Sequence, residues 1–359
     1  MQLHGHWSHY RKWVEAPAKD PYWARISPAS HAAALRALDL PMLFVGGWYD
    51  GLLHGTLDAF HALSAPGANR QLVVGPWLHF PWTRKVGALD FGPEAAGGLD
   101  RLHVAFFDRW LKGRVTQPPV PPRMNAVSLF DMGANTWRAF EAWPDADIEY
   151  ALQGGGRVSV DALDGVLLEP GRTAEAGMDA LVHDPWRPVP SLGGAFGTPP
   201  GPVDRVAVDS RTDVLTFTTR AVTAPVTIAG GVTALLFLDS DAVSFDVSIV
   251  VSRVTASGQI FPLTEAFRRL AAHDPDVGVS LPCPGTCVTL QAGEALRLSV
   301  AAASFPAYGI NPGSGAAPAN TPIGQAQIIT LMLRYGPEHP SVLRVGIMPQ
   351  SNIPEDASA

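Results

Sequence analysis

Two side chains of the sequence, Asp50 and His79, stand where their types and spacing would permit acid–base chemistry. Each follows a short apolar run, PMLFVGG (Pro41–Gly47) before Asp50 and RQLVVGPW (Arg70–Trp77) before His79. Runs of this kind predict strands that are buried on both faces. Since ligands of open α/β sheets bind beyond the carboxyl ends of the strands, an acid and an imidazole delivered there are candidates for chemistry.

The segment between the two runs predicts a helix, so that the whole stretch reads as strand, helix, strand. Apolar residues recur at helical spacing and are followed by a Pro-Gly pair that would end the helix: Leu52, Leu53, Leu57, Phe60, Leu63 and Pro66-Gly67.

An aspartate followed by a histidine on successive strand ends matches the second half of the order Ser…Asp…His found in α/β-hydrolases. In that chemistry the imidazole takes the proton of a serine hydroxyl, which is a weak nucleophile on its own. The carboxylate fixes the tautomer of the imidazole and stabilises its cationic form. The order therefore predicts that Asp50 orients the base and that His79 is the general base.

The first member of the triad is missing from this sequence. No serine has glycine at both −2 and +2, and Ser314 in NPGSGA, which comes nearest, fails on both sides. Ser8 and Ser27 are alternative nucleophiles, but neither stands on a strand-to-helix elbow. The sequence thus offers an acid and a base without an evident nucleophile.

Each of these residues also has a purely structural interpretation. Asp50 can be the N-cap of the helix that begins in GLLHG, and His79 can be an ordinary loop histidine. His54 lies one turn after Asp50 and is the local competitor for the role of base, whereas Asp58 is predicted to be solvated surface. Trp48, Tyr49 and Trp77 are predicted to be wall and packing residues. Trp82 and Phe91 are predicted to pack over the mouth of the site.

The motifs GGWYD (Gly46–Asp50) and GPWLH (Gly75–His79) resemble the acid and histidine motifs of the cocaine esterase / X-Pro dipeptidyl-peptidase family of serine hydrolases. Further segments resemble that family's later strands and loops: residues 130–144, 184–194, 213–219, 244–254 and 304–315. The resemblance runs from about Tyr22 onward and starts in the middle of the family's pattern. The half with the nucleophile, the oxyanion donors and most of the cap has no counterpart here.

The resemblance implies an α/β plus all-β fold, with the C-terminal part of an α/β-hydrolase sheet followed by a jelly-roll β-sandwich of galactose-binding-like type. It implies hydrolysis of a small-molecule ester or peptide through an acyl-enzyme, without a cofactor. The chain is then expected to be a fragment that pairs with a complementary N-terminal half or with itself. The alternative is a non-catalytic binding or oligomerisation module derived from such a hydrolase.

The pattern of the chain changes at a proline-rich stretch. Residues 1–113 are predicted to form a partial α/β-hydrolase domain with a cap remnant, ending in an amphipathic helix at Leu99–Gly113. Residues 114–124 read as an extended linker. From residue 125 to 359, short runs rich in β-branched residues and bounded by Gly, Pro and Asp predict an antiparallel sandwich.

Composition excludes several classes of partner and site. The chain has 359 residues and a net charge of −7, which gives no basic surface for nucleic acid. No run approaches the roughly 18 apolar residues of a membrane span, and the N-terminus has no apolar signal segment, so a cytoplasmic protein is expected. Cys283 and Cys287 are expected to be free thiols; the alternative is a disulfide that closes a small loop in an oxidising compartment. His4, His6 and His9 lack the further ligands of a metal site, so no metal is expected.

Overall fold

The computed structural model describes residues 9–16, 20–64, 69–80, 82–96, 98–116, 126–145, 148–271 and 273–348. His4, His6, Ser8, the pair Pro66-Gly67 and most of the predicted linker lie outside the described residues. The helices are α1 (Tyr10–Glu15), α2 (Pro21–Ile26), α3 (Ala32–Ala37), α4 (Leu53–Leu63), α5 (Leu99–Lys112) and α6 (Val206–Asp209).

The strands fall into three sheets. In chain order they are β1 (Met42–Gly47), β2 (Arg70–Gly75), β3 (Lys85–Val86), β4 (Leu89–Asp90), β5 (Val127–Asp131), β6 (Thr136–Phe140), β7 (Ile148–Gln153), β8 (Val166–Leu167), β9 (Gly177–His183), β10 (Val214–Thr218), β11 (Val226–Ser240), β12 (Ser244–Val254), β13 (Ile260–Ala271), β14 (Val279–Leu290), β15 (Ala295–Ala301), β16 (Ile329–Tyr335) and β17 (Val342–Ile347).

The predicted strand–helix–strand unit is present as β1, α4 and β2. The two strands pair in parallel, with Met42 opposite Arg70 at one end and Gly47 opposite Gly75 at the other. Helix α4 begins one residue later than its apolar pattern, since Leu52 is its N-cap and is 63% exposed. Its buried face is the predicted one: Leu53, Leu57, Phe60 and Leu63.

The first sheet continues beyond the predicted linker. Its order is β1-β2-β5-β6, in which β5 pairs in parallel with β2 and antiparallel with β6. The run around Val127–Asp131 was expected to open the sandwich, but it joins the α/β strands instead. A short buried apolar run predicts a strand without indicating which sheet it enters. The division at residues 114–124 itself stays a prediction.

The rest of the described chain is β-rich. Strands lie in the order β13-β12-β15-β10-β8-β7-β17-β11-β16-β9, with β14 on β11, and all neighbours are antiparallel except β8 and β10. Runs rich in β-branched residues at 213–219, 244–254, 295–305 and 327–333 predict strands, and β10, β12, β15 and β16 form within or across them. Within the described ranges, no helix is long and apolar enough to cross a membrane.

Asp131, at the end of β5, joins the first sheet to the β-rich region. Its side chain is fully buried and accepts the backbone N–H of Thr289 at 2.7 Å and Nε of Arg138 at 2.7 Å. Arg138 in turn donates to the hydroxyl of Thr289 at 3.0 Å. The N–H of Met132 donates to the carbonyl of Cys287 at 2.9 Å. A buried carboxylate with this many partners fixes β5 and β6 against β14.

His183, the last residue of β9, is buried without hydrogen bonds. It is 1% exposed, and neither ring nitrogen has a partner among the described residues. Burial lowers the pKa of His183 below its ordinary value of 6.5, although the charges of Asp246, Asp213 and Asp184 oppose the shift. The imidazole is therefore folded in its neutral form.

Replacing Asp131 with alanine should lower the free energy of unfolding by about 3–5 kcal/mol, because the change leaves the largely buried guanidinium of Arg138 unpaired. The matched control is Glu149→Ala, which removes one partner of a half-exposed ion pair with Arg344 and should cost less than about 1 kcal/mol. Urea denaturation of the three proteins measures both values. Equal losses in the two variants would contradict the linking role of Asp131.

The stability of the wild type should fall with acidification more steeply than that of His183→Leu. The unfolded chain binds a proton on this histidine as the pH falls through about 6.5, whereas the folded protein does not, so stability is lost there as the pH falls. Urea unfolding at pH 7.5, 6.5 and 5.5 checks this. His31→Leu, at an exposed histidine, should give a pH dependence parallel to the wild type. Parallel curves for all three proteins would refute the explanation.

Candidate active site

The parallel strands β1 and β2 end side by side, and their loops stay paired beyond the sheet. The N–H of Trp48 donates to the carbonyl of Gly75 at 2.8 Å, and the N–H of Tyr49 donates to the carbonyl of Trp77 at 3.0 Å. A Cβ on Gly47 would lie 2.3 Å from the oxygen of Trp77, so only glycine permits this approach. The loops therefore deliver the residues that follow them to one place.

The structure brings the two predicted site residues together there. Nδ1 of His79 lies 3.1 Å from Oδ2 of Asp50. Because an ionised carboxylate can only accept, this contact assigns the proton to Nδ1 and leaves the lone pair on Nε2. Within the described residues, Nε2 makes no hydrogen bond. The side chain of Asp50 is 14% exposed and that of His79 is 58% exposed.

The N-cap interpretation of Asp50 is wrong, because Leu52 is the N-cap of α4, but Asp50 does bond to the turn that leads into the helix. Its Oδ1 accepts the N–H of Leu52 at 2.8 Å, next to the start of α4, while Oδ2 faces His79. The competing histidine, His54, turns instead to Asp58 at 3.4 Å, and both of these side chains are more than half exposed. The geometry thus pairs Asp50 with His79 and leaves His54 on the surface of α4.

The predicted packing role of the aromatic residues beside the motifs is confirmed. Trp48, Tyr49 and Trp77 are at most 3% exposed. Nε1 of Trp48 donates to the carbonyl of Phe130 at 2.8 Å, and the hydroxyl of Tyr49 donates to the carbonyl of Pro262 at 3.2 Å. Burial raises the pKa of Tyr49, so the phenol stays protonated. These side chains brace the paired loops from below.

The expectation that Trp82 and Phe91 cover the mouth is wrong for Phe91. Phe91 is 1% exposed and packs in the core beside Tyr49 and Phe130, because its loop folds inward after β4. Trp82 packs partly against a small cluster that includes Trp77. Phe80 is the aromatic residue at the site that sequence reasoning missed. It is 64% exposed, and its ring centroid lies 4.6 Å from that of His79.

A crevice of about 370 Å³ opens on the Asp50 side of the pair, between the turn at residues 50–54 and the β-rich region. The residues that line it on the β-rich side include Phe196, Glu265, Phe267, Arg268, Pro282, Pro284 and Tyr308. None of these was predicted. The sequence signal that could have pointed to the crevice was the glycine-rich stretch GGAFG (residues 193–197), which on its own predicts an irregular loop.

Glu265 and Tyr308 are the titratable groups of the crevice on the β-rich side with shifted pKa values. Burial raises the pKa of Glu265, opposed by the N–H groups of Phe196 and Ala195, which its carboxylate accepts at 3.1 and 2.8 Å. Tyr308 stacks on Phe267 with parallel rings 3.7 Å apart, and burial raises its pKa to about 12. Both rings present apolar surface to the crevice.

The two cysteines are free, as predicted; both are also buried, and burial raises the pKa of both thiols. A buried thiol of raised pKa is a poor nucleophile, so neither replaces the missing serine. Among the residues that the structure describes, no group of three or more His, Cys, Asp or Glu side chains could hold a metal ion.

Two family sequence models match this chain. The X-Pro dipeptidyl-peptidase C-terminal non-catalytic domain matches residues 123–344, and the X-Pro dipeptidyl-peptidase (S15 family) matches residues 3–81. The cocaine esterase of Rhodococcus sp. (strain MB1 Bresler) is 30% identical over 347 residues, which cover 91% of this chain and 59% of that protein.

Solved structures share the fold. An aminopeptidase from a marine sediment archaeon (Thaumarchaeota archaeon) superposes with a TM-score of 0.80 at 23% identity, over 97% of this chain and 61% of that one. An α-amino acid ester hydrolase superposes with a TM-score of 0.76 at 22% identity, over 96% and 61%. The chain spans about three-fifths of the length of these proteins. It belongs to the cocaine esterase / X-Pro dipeptidyl-peptidase family of serine hydrolases.

Proposed function

We propose that this chain supplies the acid and the base of a serine-hydrolase triad, Asp50 and His79, for hydrolysis of an ester or amide bond. The observation that carries the proposal is the contact of 3.1 Å between Nδ1 of His79 and Oδ2 of Asp50. It stands at the ends of two parallel strands, where α/β enzymes bind their ligands. It also leaves Nε2 as the nitrogen that is free to take a proton.

The roles follow from that geometry. Nε2 of His79 accepts the hydroxyl proton as the serine oxygen attacks the carbonyl carbon, and then gives the proton to the departing alcohol or amine. The carboxylate of Asp50 stabilises the imidazolium while the proton rests there. A water molecule, activated by the same nitrogen, then releases the acyl group from the serine.

The nucleophile and the oxyanion donors are proposed to come from a complementary N-terminal half. No serine of the 359 residues stands in a G-x-S-x-G elbow, and the chain spans 59% of the cocaine esterase. Among the described strands, β1 has a neighbour on one side only. Helix α5 carries a second apolar stripe that is more than half exposed, consisting of Val104, Phe107 and Leu111. Alternatively, a second copy of this chain would cover the free edge of β1 and the apolar stripe of α5 in a homo-oligomer.

The finer features of the protein belong to the same proposal. The β-rich region is proposed to be a jelly roll of the galactose-binding-like type, supported by the match to the family's C-terminal domain. The protein is proposed to be cytoplasmic, with a small ester or peptide as its substrate. The related structures are an aminopeptidase and an ester hydrolase, so they support either bond.

Fluorophosphonate labelling tests the catalytic assignment without a known substrate. We expect no serine of this chain alone to be labelled, and one serine to be labelled once the unmatched N-terminal part of the Rhodococcus cocaine esterase is fused ahead of Met1. In that fusion, His79→Ala should slow labelling at least about 100-fold, since a general base contributes that much. His54→Ala should leave the rate unchanged.

Mass spectrometry of the labelled peptide identifies the serine, and gel filtration with circular dichroism verifies that each fusion is folded. An unchanged labelling rate in a folded fusion that carries His79→Ala would contradict the proposal and favour a non-catalytic module. A labelled serine in the chain alone, lost on His79→Ala, would place the nucleophile within these 359 residues.

The hydrogen bond between the two residues is testable in the chain itself. In ¹⁵N-histidine-labelled protein, the Nδ1 proton of His79 should give a resolved resonance that exchanges slowly with water, identified by its loss in His79→Ala. Asp50→Ala should speed that exchange about ten-fold or more, because the acceptor is gone. Asp58→Ala, four positions along α4 from His54, should not change it. An unaffected resonance in Asp50→Ala would disprove the pairing.

A further inference from the structure

One wall of the crevice is the side chain of Phe196, from a loop that is distant in sequence. Phe196 contacts Gly51, the residue after Asp50, so closely that a Cβ on Gly51 would lie 2.7 Å from the ring. Phe196 is 46% exposed, and its ring centroid lies 6.1 Å from that of Tyr308. Phe196 therefore packs on Gly51, in the turn that carries the acid of the pair.

The loop that carries Phe196 is held by hydrogen bonds of its own. Gly194 and Gly201 exchange backbone hydrogen bonds of 2.9 and 2.8 Å, which close the loop at its base. The guanidinium of Arg205, which is 5% exposed, donates to the carbonyl of Leu192 at 2.7 Å. These contacts close and anchor the base of the loop but do not involve Phe196, which lies against Gly51.

Glu265 holds the segment that carries Phe196. Its Oε1 accepts the N–H of Ala195 at 2.8 Å and the N–H of Phe196 at 3.1 Å. The two residues lie 70 and 69 positions before Glu265 in the chain, so the contact joins a loop to β13 rather than completing a local turn. A carboxylate that accepts two backbone N–H groups is a strong, charge-assisted clamp.

We propose that Glu265 is a positioning residue of the site: it clamps the loop at residues 193–197, so that Phe196 covers the turn of Asp50 and protects the hydrogen bond to His79. The physical reason is that such a cover limits the access of water to this hydrogen bond. A carboxylate–imidazole hydrogen bond weakens when water competes for the carboxylate, and it strengthens where the surroundings are apolar. The side chain of Asp50 is 14% exposed, and Phe196 packs on the next residue, Gly51.

This inference rests on the proposed pairing of Asp50 with His79, but the clamp makes its own prediction about the loop. In the chain as it stands, Glu265→Ala should speed hydrogen exchange of the amides of Ala195 and Phe196 about ten-fold or more, because both lose their acceptor. Glu265→Gln keeps an oxygen that accepts these N–H groups and should restore most of the protection. Mass spectrometry of a peptide that spans residues 193–197 measures the exchange.

The positioning role has a second readout, the Nδ1 proton of His79. Glu265→Ala and Phe196→Ala should both speed its exchange with water about ten-fold or more, as expected when an apolar cover over a hydrogen bond is lost. Glu265→Gln should resemble the wild type. Phe196→Ala leaves the clamp intact, so it tests the cover even if Glu265→Ala fails to fold. The matched control is Glu294→Ala, which removes a carboxylate that accepts the N–H of Gln291 at 2.9 Å outside the crevice.

The outcomes separate this inference from the proposed function. Unchanged exchange at residues 193–197 in Glu265→Ala overturns the clamp. Faster loop exchange with an unaffected His79 proton overturns the positioning role, while the pairing of Asp50 and His79 stands. A wild-type chain without a protected Nδ1 proton on His79 overturns both proposals together.

Discussion

The parallel register of β1 and β2 is the constraint on which the site depends. Asp50 and His79 are 29 residues apart in the chain, yet their side chains meet at 3.1 Å because the strands end at opposed glycines. The loops then remain paired through two backbone hydrogen bonds. A slip of one residue would move one loop by about 3.3 Å along the other and separate the carboxylate from the imidazole.

The β-rich region contributes to this geometry, although the family model that matches it is described as a non-catalytic domain. Tyr49, next to Asp50, donates to a carbonyl of β13, and Glu265 on the same strand accepts the loop that covers Asp50. Asp131 fixes β5, the neighbour of β2, against β14. Side chains of the β-rich region thus help to position the acid of the pair.

Local sequence patterns predicted one part of the structure. Apolar runs and helical spacing located β1, α4 and β2, and so placed Asp50 and His79 after the ends of two successive strands. Membership of β5 in the first sheet was not predictable, because its apolar pattern suits either sheet. The role of Glu265 was not predictable either, because it depends on a contact with Phe196, 69 residues away in the chain. The glycine-rich loop at residues 193–197 has no regular pattern in the sequence, yet Glu265 holds it by accepting the N–H groups of Ala195 and Phe196.

The two members of the pair differ in how the chain covers them, and the difference indicates the side from which the proposed nucleophile would approach. The β-rich region and Phe196 cover the acid, which is 14% exposed, whereas His79 is 58% exposed. Phe80 and Leu52, on either side, are 64% and 63% exposed. A general base that is open to water is less effective, because active sites depend on excluding water from the reacting groups. A serine delivered by a complementary half would meet Nε2 from this open side, and the surface that delivers it would also cover these apolar side chains.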